Sequence, residues 1–458
     1  MSISGTASLR SKVSGTVIEP GDPRYDDARA THNGMIDKRP ALIVQAANVD
    51  DVRAAVLLAH ETKLPAAIRG GNHSGPGFGS SDGGIVIDLA GLKSVTVDPS
   101  NGRVQVGGGC TWGEVDKATH AHGLAVPCGV ISSTGVGGLT LGGGTGYLTR
   151  KYGLTIDSLL SADMVLADGR SVTASATSEP DLYWAIRGGG GNFGVVTNFT
   201  FQGRPVANVI GGPIVWAWED MPAMMRFFMD NFHQLPDDIY GFFAELIVPP
   251  GPPFPEALHM SRACGIVWCS LLNAEDTAAH LAPFREFRKP LVDFVGPLPM
   301  PVLNSLFDGL YPKGTRAYWK GDFFDQVPDE AIALHQKYGS RLPSVQSTMH
   351  LYPIDGAAGR VGADDTAWGY RGAKYSEVIL GADANPANDA SISSWTRDYW
   401  LAVHPYSCGS GYVNFLMGDE GQERVDRTYR GHYAKLASIK KRYDPDNVFR
   451  VNHNIKPA

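Results

Sequence analysis

The sequence has no long apolar run, no basic cluster and few cysteines. Its first residues, MSISGTASLRSKVSG, lack the apolar segment of a secretory signal, and no apolar run reaches the ~20 residues that cross a bilayer. The formal net charge is −7, and no run of Lys and Arg provides the basic face that nucleic acid requires. We therefore expect a cytoplasmic protein that binds neither membranes nor nucleic acid.

The cysteines give no indication of a metal site. There are five, an odd number, and none forms a CxxC pair or a set with suitably spaced histidines. We therefore expect no bound metal, and we expect these side chains to be small buried apolar groups in a reducing compartment.

Glycine, by contrast, is abundant. The chain contains 55 glycines, and many of them lie in clusters at 70–84, 107–113, 135–146 and 188–194. Because glycine has no Cβ, such clusters indicate backbone that comes close to a bulky ligand.

The length and the patterning predict two domains of an α+β protein. A chain of 458 residues is too long for one ordinary core. Residues 40–60, PALIVQAANVDDVRAAVLLAH, predict a strand and then a helix capped by Asn48 or Asp50, and SADMVLADGRSVTAS predicts a hairpin with an Asp-Gly turn. Residues 204–404 instead combine proline-rich connectors, most of the tryptophans and amphipathic helices, which predicts a second domain with a sheet covered by helices.

The stretch RGGNHSGPGFGSSDGG, residues 69–84, has a backbone that neither a packed helix nor a plain strand could use. A glycine-rich loop can direct successive N–H groups into one concavity, which binds a pyrophosphate. A turn-rich surface loop is the alternative for any single cluster, but several clusters in one half of the chain favour phosphate binding. A neutral imidazole is a competent nucleophile, so His73 in this loop would lie as a reactive group beside any cofactor that the loop holds.

Two common nucleotide-binding signatures do not fit. GVGGLTLGGGTG lacks the strand, GxGxxG and helix context of a Rossmann site. GGGTGYLTRK lacks the spacing of a P-loop. Both nucleotide folds are therefore disfavoured.

Four segments, in chain order, carry a resemblance to one family. They are RGGNHSGPGFGSSDGGIVIDL, GLAVPCGVISSTGVGGLTLGGGTGYLTRKYGLTIDSLLSADMVLADG, LYWAIRGGGGNFGVVTNFTF and YDPDNVFRVNHNIKP. Together they are similar to the FAD-linked oxidases of the vanillyl-alcohol oxidase and p-cresol methylhydroxylase family, in its berberine-bridge-enzyme-like branch. The resemblance implies a two-domain α+β flavoprotein with an FAD-binding domain at residues 1–203, a substrate domain with an antiparallel sheet at 204–404, and a C-terminal segment, 405–458, that returns to the FAD-binding domain.

The resemblance also implies the cofactor contacts. In such proteins the R-G-G-x-H loop surrounds the pyrophosphate of FAD, and its histidine, here His73, is bonded covalently to the flavin ring. The implied FAD-binding residues are Arg69, Gly70, Gly71, Asn72, His73, Ser74, Thr134, Gly135, Gly138, Gly142, Tyr147, Gly194, Val196, Tyr412, Asn414 and Asn452.

This sequence departs from the family in one respect. Many relatives have a second covalent link through a cysteine, but Ile131 follows Gly129-Val130 where those relatives have the cysteine, and Cys128 comes three positions too early. On a strand, that odd offset faces the other way. We therefore expect a single covalent bond, through His73, and a buried Cys128.

Oxidation of an alcohol needs a group that takes the hydroxyl proton. Tyr412 resembles the family's active-site tyrosine, and its phenol, with an ordinary pKa of about 10, could act as a base only if its surroundings lowered that pKa. WGYRGAKYSEVIL indicates a strand that faces the cleft and carries Tyr370, Tyr375 and Glu377, with Tyr370-Arg371 in the place of the family's His-Arg pair. Tyr375 and Glu377 alternate and therefore share one face of that strand. Either could assist the reaction, and either could simply pack.

The resemblance implies an FAD-dependent oxidase. A sugar, an oligosaccharide, a polyketide or an aromatic alcohol would give hydride to FAD, and O2 would be reduced to H2O2. A dehydrogenase that reacts slowly with O2 and an enzyme of oxidative ring closure are alternatives within the family. A non-catalytic binding protein on a flavin scaffold is a third alternative, and the intact loop around His73 counts against it.

Overall fold

The structure is a computed structural model that describes residues 5–458, so the first four residues of the predicted FAD-binding domain lie outside the described residues. The protein is α+β, as the sequence predicted, with twenty strands in the described part. The strands are β1 (Thr16–Ile18), β2 (Leu42–Gln45), β3 (Ala66–Arg69), β4 (Ile85–Asp88), β5 (Val95–Asp98), β6 (Arg103–Gly107), β7 (Leu124–Ala125), β8 (Leu159–Val165), β9 (Ser171–Ser175), β10 (Val195–Gln202), β11 (Arg204–Pro205), β12 (Asn208–Ala217), β13 (Ile239–Ile247), β14 (Arg262–Ser270), β15 (Val292–Asp293), β16 (Gly296–Pro299), β17 (Arg316–Lys320), β18 (Phe323–Phe324), β19 (Thr348–Pro353) and β20 (Tyr375–Asp383).

Fifteen α-helices accompany the strands within residues 5–458. They are α1 (Thr6–Lys12), α2 (Tyr25–Arg29), α3 (Val49–Thr62), α4 (Trp112–His120), α5 (Val136–Gly142), α6 (Thr149–Tyr152), α7 (Pro180–Ile186), α8 (Met221–Asn231), α9 (Ala274–Phe287), α10 (Met300–Asn304), α11 (Asp329–Gly339), α12 (Ala357–Arg360), α13 (Asp389–Val403), α14 (Gln422–Thr428) and α15 (Tyr433–Tyr443).

Strands β1 to β4 form the first sheet, in the order β1-β2-β4-β3. β2, β4 and β3 are parallel, and α3 connects β2 to β3. The side chain of Asn48 caps α3 by accepting a hydrogen bond of 3.0 Å from the N–H of Asp51, which confirms the predicted strand and helix and decides between the two predicted caps. Because β3 ends at Arg69, the glycine-rich loop begins at the carboxyl edge of a parallel sheet, where such sheets place ligands.

The second sheet has five antiparallel strands in the order β5-β6-β10-β8-β9. The predicted hairpin is confirmed as β8 and β9, with Gly169 at a φ of 82° in its turn. Phe201 of this sheet packs on Trp112 of α4, and the same core contains Val136 and Leu141 of α5. The sheet therefore fixes the position of the 135–146 glycine cluster.

The third sheet has nine strands, all from residues 204–404, in the main order β15-β12-β14-β13-β19-β20-β17. Helices α8, α9, α11 and α13 cover one face and share an apolar core with Trp216 and Trp268. The other face carries Tyr352 and Val378, which pack with Tyr147 of the first half of the chain. Successive side chains of a strand point to opposite faces, so each strand serves both the helix-covered core and the face that meets the rest of the molecule.

The sequence of residues 419–443 predicts a single helix, but the structure has two helices there, α14 and α15. Arg430, between them, has a φ of 51°, in the left-handed region that a helix cannot continue through. The buried ammonium group of Lys440 on α15 donates hydrogen bonds to the carbonyl oxygens of Asn192 (2.6 Å) and Phe449 (2.9 Å) and pairs with Asp444 (2.6 Å). Lys440 therefore links the glycine cluster at 188–194 to α15.

Candidate functional site

A cavity of about 440 Å³ lies between the three large sheets. Its walls come from the 69–79 loop after β3, the stretch 129–141, the segment 190–196 and the residues 412–416, and the third sheet closes it. The glycine cluster at 107–113 contributes Gly108 to the wall. All four glycine clusters of the sequence therefore converge on one space.

The loop after β3 presents backbone donors to this cavity. The N–H groups of Gly71, Asn72, His73 and Ser74 donate to no atom of residues 5–458, and all four residues line the cavity. Asn72 has a left-handed φ of 62°, and its side chain holds the loop by donating to the carbonyl oxygen of Ala30 at 2.9 Å. Since backbone donors that are shielded from water need partners, a run of free donors fits an anion with several oxygens, such as the pyrophosphate of FAD.

The first glycine loop lies against the second at a pair of glycines. A Cβ on Gly71 would lie 2.3 Å from the backbone nitrogen of Gly135, and a Cβ on Gly135 would lie 2.2 Å from that of Gly71. Neither position can hold a side chain unless the backbone moves. Thr134, Gly135 and Gly138, three of the predicted FAD contacts, line the cavity beside this pair.

His73 lies in the wall of the cavity, with its Nε2 3.0 Å from the Oγ of Ser133. Burial, and to a smaller extent the neighbouring His32, lowers the pKa of His73 to about 3, so the imidazole is neutral at physiological pH. Its Nδ1 has no hydrogen-bond partner among the described residues. A neutral imidazole with an available nitrogen is the reactive form of a histidine nucleophile.

Tyr412 and Asn414 form the C-terminal part of the cavity wall. The phenol oxygen of Tyr412 accepts hydrogen bonds of 2.7 Å from the N–H of Gly144 and of 2.7 Å from the Nδ2 of Asn414. Asn414 also donates to the carbonyl oxygens of Gly138 and Leu139. Burial raises the pKa of Tyr412, and the two N–H donors oppose that shift. The isolated protein therefore keeps this phenol protonated at neutral pH.

Most of the other predicted FAD contacts also line the cavity. They are Gly70, Ser74, Gly194, Val196 and Asn452. Arg69 lines it too, but its Nε donates to the carbonyl oxygen of Gly79 at 2.9 Å and its Nη1 donates to that of Ala28. Its guanidinium therefore holds the loop in place through backbone carbonyl groups, and its place around the phosphates stays a prediction.

Two predicted contacts, Tyr147 and Gly142, do not line the cavity. Tyr147 packs on Tyr240 and Phe242, with ring centroids 6.3 and 6.1 Å away. Gly142 faces Asn414, because a Cβ on Gly142 would lie 2.3 Å from the Oδ1 of that residue. α5 ends at Gly142, and Tyr147 belongs to the core beneath the third sheet, although Thr145 between them lines the cavity.

Tyr375 and Glu377 share one face of β20, as the alternation predicted, but that face is not the one in the cavity. Val378 and Leu380 line the cavity, whereas Tyr375 lies in the core under the helices with its hydroxyl 2.5 Å from the Nε2 of His233. Glu377 is buried, and neither of its carboxylate oxygens has a hydrogen-bond partner among the described residues. The prediction that both face the cleft is therefore wrong, because a period of two shows which residues share a face but not what covers it.

Tyr370 lies in the loop before β20, not on the predicted strand. Its ring stacks on Phe323 with centroids 4.6 Å apart, and its hydroxyl donates to the carbonyl oxygen of Arg427 at 3.0 Å. The adjacent Arg371 pairs with Asp157 at 2.7 Å. These two side chains join distant parts of the chain and do not line the cavity.

The sequence did not predict four further residues of the site. His32 and Ser133 contact His73, and His350 and Tyr352 line the cavity from β19. The alternation in TMHLYP could have placed His350 and Tyr352 on one face of a strand. No sequence signal could have shown that His32 lies beside His73.

Cys128 is buried, as expected, and it does not reach the cavity, although its successors Gly129, Val130 and Ile131 line it. The Nδ2 of Asn304 lies 3.2 Å from the Sγ of Cys128. Burial raises the pKa of this thiol. Cys128 is therefore a neutral thiol that points away from the space where a cofactor would lie.

Within residues 5–458, no group of three or more His, Cys, Asp or Glu side chains is arranged to hold a metal ion. No helix there has the length and apolar character needed to span a bilayer.

An amide-lined anion site that opens into a largely apolar cavity fits a dinucleotide with a flat ring system, and the α+β fold around it is that of FAD-dependent oxidoreductases. Residues 40–175 match the family model described as FAD binding domain, and residues 411–456 match the one described as berberine and berberine like. Over 98% of each chain, the protein is 31% identical to an uncharacterized FAD-linked oxidoreductase, YgaK, of Bacillus subtilis (strain 168).

Solved structures have the same fold. The crystal structure of 6-hydroxy-D-nicotine oxidase from Arthrobacter nicotinovorans is 25% identical, with a TM-score of 0.86 over 97% of this chain and 98% of that one. The glucooligosaccharide oxidase of Acremonium strictum is 23% identical, with a TM-score of 0.88 over 100% of this chain and 98% of that one. The chain belongs to the FAD-linked oxidoreductases of the vanillyl-alcohol oxidase and p-cresol methylhydroxylase type, in the berberine-bridge-enzyme-like branch.

Proposed function

We propose that this FAD-dependent oxidoreductase is an oxidase of a hydroxyl-bearing small molecule: a sugar, an oligosaccharide, a polyketide or an aromatic alcohol. The substrate loses a hydride from carbon and a proton from its hydroxyl group, and the alcohol becomes a carbonyl compound. FAD supplies the two-electron chemistry and O2 is the final acceptor, so one alcohol and one O2 give one carbonyl compound and one H2O2.

The observation that carries this proposal is the convergence of free amides, a neutral histidine and a buried tyrosine on one cavity. The N–H groups at residues 71–74 bind the pyrophosphate. His73 forms the only covalent bond to the flavin, because its Nδ1 has no partner among the described residues and Cys128 does not line the cavity.

Tyr412 accepts the substrate's proton. That role requires the phenolate form, and the N–H groups of Gly144 and Asn414 stabilise a negative charge on its oxygen. Burial of the phenol disfavours its charged form and therefore raises its pKa. Tyr370, Tyr375 and Glu377 have no part in this proposal, because they do not line the cavity.

The proposed domain division follows the sheets. The FAD-binding domain comprises residues 1–203, the substrate domain comprises 204–404, and the segment 405–458 returns to the FAD-binding domain. Lys440, which binds the carbonyl oxygen of Asn192, supports this return.

The cofactor part of the proposal is tested by acid precipitation of the purified protein. We expect yellow colour to stay with the polypeptide and a proteolytic peptide containing His73 to carry the mass of FAD. A colourless protein that cannot be loaded with FAD would contradict the whole proposal.

The oxidase part is tested by incubating the yellow protein with sugars, aryl alcohols and hydroxylated natural products while H2O2 is measured. A substrate that reduces the flavin without air identifies the class, and mixing with air is expected to restore the flavin absorbance within seconds, with one H2O2 per product. A slow return of absorbance would identify a dehydrogenase and contradict the proposed oxidase.

A further inference from the structure

The turn at residues 31–36 lies between the glycine-rich loop after β3 and the third sheet. On the side of the loop, the N–H of His32 donates to the carbonyl oxygen of Asn72 at 3.2 Å. The Nδ2 of Asn33 donates to the carbonyl oxygen of Gly75 at 2.8 Å. Because these two acceptors flank the histidine of the loop, the turn holds the loop on both sides of that histidine.

On its other side, the turn binds the edge of β17. This strand ends the main order of the third sheet and pairs along one edge with β20, and a strand edge presents N–H and C=O groups that need partners. The Nδ2 of Asn33 donates to the carbonyl oxygen of Ala317 at 2.8 Å, and the N–H of Ala317 donates back to the Oδ1 of Asn33 at 3.1 Å. The N–H of Gly34 donates to the carbonyl oxygen of Thr315 at 3.0 Å. The buried amide group of Asn33 therefore binds the loop and the third sheet at the same time.

The loop, the turn and β17 are also packed closely. A Cβ on Gly34 would lie 2.2 Å from the carbonyl oxygen of Gly314, and a Cβ on Gly75 would lie 2.3 Å from the Cζ2 of Trp319 on β17. Closely packed layers transmit a displacement from one to the next. A shift of β17 is therefore expected to move the turn and, through it, the loop.

Arg316 of β17 holds the turn in place. Its guanidinium pairs with both carboxylate oxygens of Asp389 on α13, and its Nη1 donates to the carbonyl oxygen of Gly34 at 2.6 Å. The neighbouring residues Thr315 and Ala317 line the cavity, but Arg316 does not, because successive side chains point to opposite sides. An effect of Arg316 on the cofactor site would therefore pass through the turn.

Covalent attachment of FAD is more sensitive to position than binding of FAD. Binding is shared by many contacts, whereas a bond between a ring nitrogen of His73 and the methyl carbon of the flavin forms only where those two atoms meet. A misplacement of ~1 Å can slow such a reaction ~100-fold. In that step one C–H bond and one N–H bond break, the electron pair passes to the flavin ring system, and O2 finally removes the pair with two protons as H2O2.

We infer that the turn at residues 31–36 positions His73 for the covalent attachment of FAD, with Asn33 and Arg316 as the positioning residues that make this attachment depend on the third sheet. The inference rests on the proposed function, because it assumes that His73 forms the bond to the flavin. A change at β17 that lies outside the cavity should then slow attachment while FAD still binds.

Attachment and binding are measured separately. Flavin-free protein is mixed with FAD in air, and the fraction of flavin that survives acid precipitation is followed over time. The Kd of FAD is measured by the quenching of flavin fluorescence in the same variants combined with His73→Ala, in which the bond cannot form.

We expect Asn33→Ala to slow attachment at least about tenfold and Arg316→Gln at least about fivefold, with the Kd of FAD within about twofold of that in His73→Ala alone. The side chain of Arg316 is partly exposed and does not line the cavity, so Arg316→Gln keeps the test decisive even where Asn33→Ala fails to fold.

Arg226→Gln is the matched control. The guanidinium of Arg226 likewise pairs with a carboxylate, that of Asp329, and donates to a carbonyl oxygen, that of Val327, at 3.1 Å. It lies on α8, which covers the other face of the third sheet. Arg226→Gln is therefore expected to change neither the attachment rate nor the Kd of FAD.

Attachment at the original rate in both Asn33→Ala and Arg316→Gln would overturn the inference. A loss of FAD affinity as large as the loss of rate would also overturn it, because it would show general damage to the loop, and so would an equally slow attachment in Arg226→Gln. An original protein that never forms acid-stable flavin would instead contradict the proposed bond to His73, and the inference with it.

Discussion

The imidazole rings of His32 and His73 are stacked, with centroids 3.8 Å apart and planes inclined by 22°. Burial lowers the pKa of both histidines, so two neutral rings lie face to face. On its edge, the ring of His73 is held by the Oγ of Ser133 at 3.0 Å. A nucleophile that is held in one orientation loses less freedom when it reacts, so these contacts suit His73 to the proposed attachment of the flavin.

Removal of the hydroxyl group in Ser133→Ala is expected to slow covalent attachment of FAD by about tenfold, because the ring of His73 loses a fixed orientation. The measurement is the fraction of flavin that survives acid precipitation, followed over time after FAD is added to flavin-free protein. Ser132→Ala is the matched control, since the hydroxyl of Ser132 bonds to Asp308 instead. His73→Ala is expected to abolish acid-stable flavin entirely, and any that persisted would exclude His73 as the attachment site.

Substitution at the contact of the two glycine loops is expected to damage the cofactor site. In Gly71→Ala the new Cβ would lie 2.3 Å from the backbone nitrogen of Gly135, so the loops must separate at a cost of ~1–3 kcal/mol. We expect less FAD per protein and a lower melting temperature. Gly296→Ala, where a Cβ meets nothing within 4 Å, is the control and should behave as the original protein. Unchanged FAD content in Gly71→Ala would show that the loops do not form the cofactor site.

Tyr412→Phe is expected to lower the rate of flavin reduction by substrate at least ~100-fold while FAD remains bound, because the proposed proton acceptor is lost. Burial raises the pKa of Tyr412, so its phenolate becomes more abundant as the pH rises. The reduction rate of the original protein should therefore increase with pH from 7 upwards, and that of Tyr412→Phe should not. Full activity in the variant, or a rate that falls with increasing pH, would exclude Tyr412 as the base.

Glu377→Gln is expected to leave the rate of flavin reduction within about twofold of the original, although this carboxyl group was a catalytic candidate. Its side chain does not line the cavity and lies on the same face of β20 as Tyr375, which packs under the helices. Stopped-flow measurement of flavin bleaching tests this expectation. A loss of activity with unchanged stability would show that the cavity-facing side of β20 has been misassigned.

The buried carboxyl group of Asp116 is expected to make stability depend on pH. It accepts a hydrogen bond of 2.8 Å from Asn304, and burial raises its pKa from the ordinary value of 3.8 to about 7. When the pKa of a group is higher in the folded state than in the unfolded state, the group stabilises the folded protein at pH values below its unfolded pKa. That stabilisation is lost as the pH rises to the pKa of the folded state. The variant Asp116→Asn lacks this loss, so its stability relative to the original should increase between pH 5 and pH 8, by an unfolding free energy on the order of 1 kcal/mol or more.

Melting temperatures of both proteins at the two pH values measure this effect. Asp398→Asn, at an exposed position on α13, is the control and should show the same difference at both pH values. A constant difference for Asp116→Asn as well would mean that the carboxyl group is ionised throughout this range.

Local patterns were enough to predict several elements of the first half of the chain. The strand and helix at 40–60, the cap at Asn48 and the hairpin of β8 and β9 all depend on residues that are close in sequence. The α+β class followed from the strand and helix patterns, and the FAD-binding family followed from the resemblance of four segments in chain order. The break at Arg430 between α14 and α15 was not predictable, because helical spacing continues across it.

Which residues share a strand face, which loops are rich in glycine and which family the chain resembles could all be read from the amino-acid sequence. The fold was needed to show that helices cover the face of Tyr375 and Glu377, that the guanidinium of Arg69 binds backbone carbonyl groups, and that His350 and Tyr352 line the cavity. Periodicity and turn chemistry act between neighbours in the chain, whereas elements far away in sequence set the environment of a side chain.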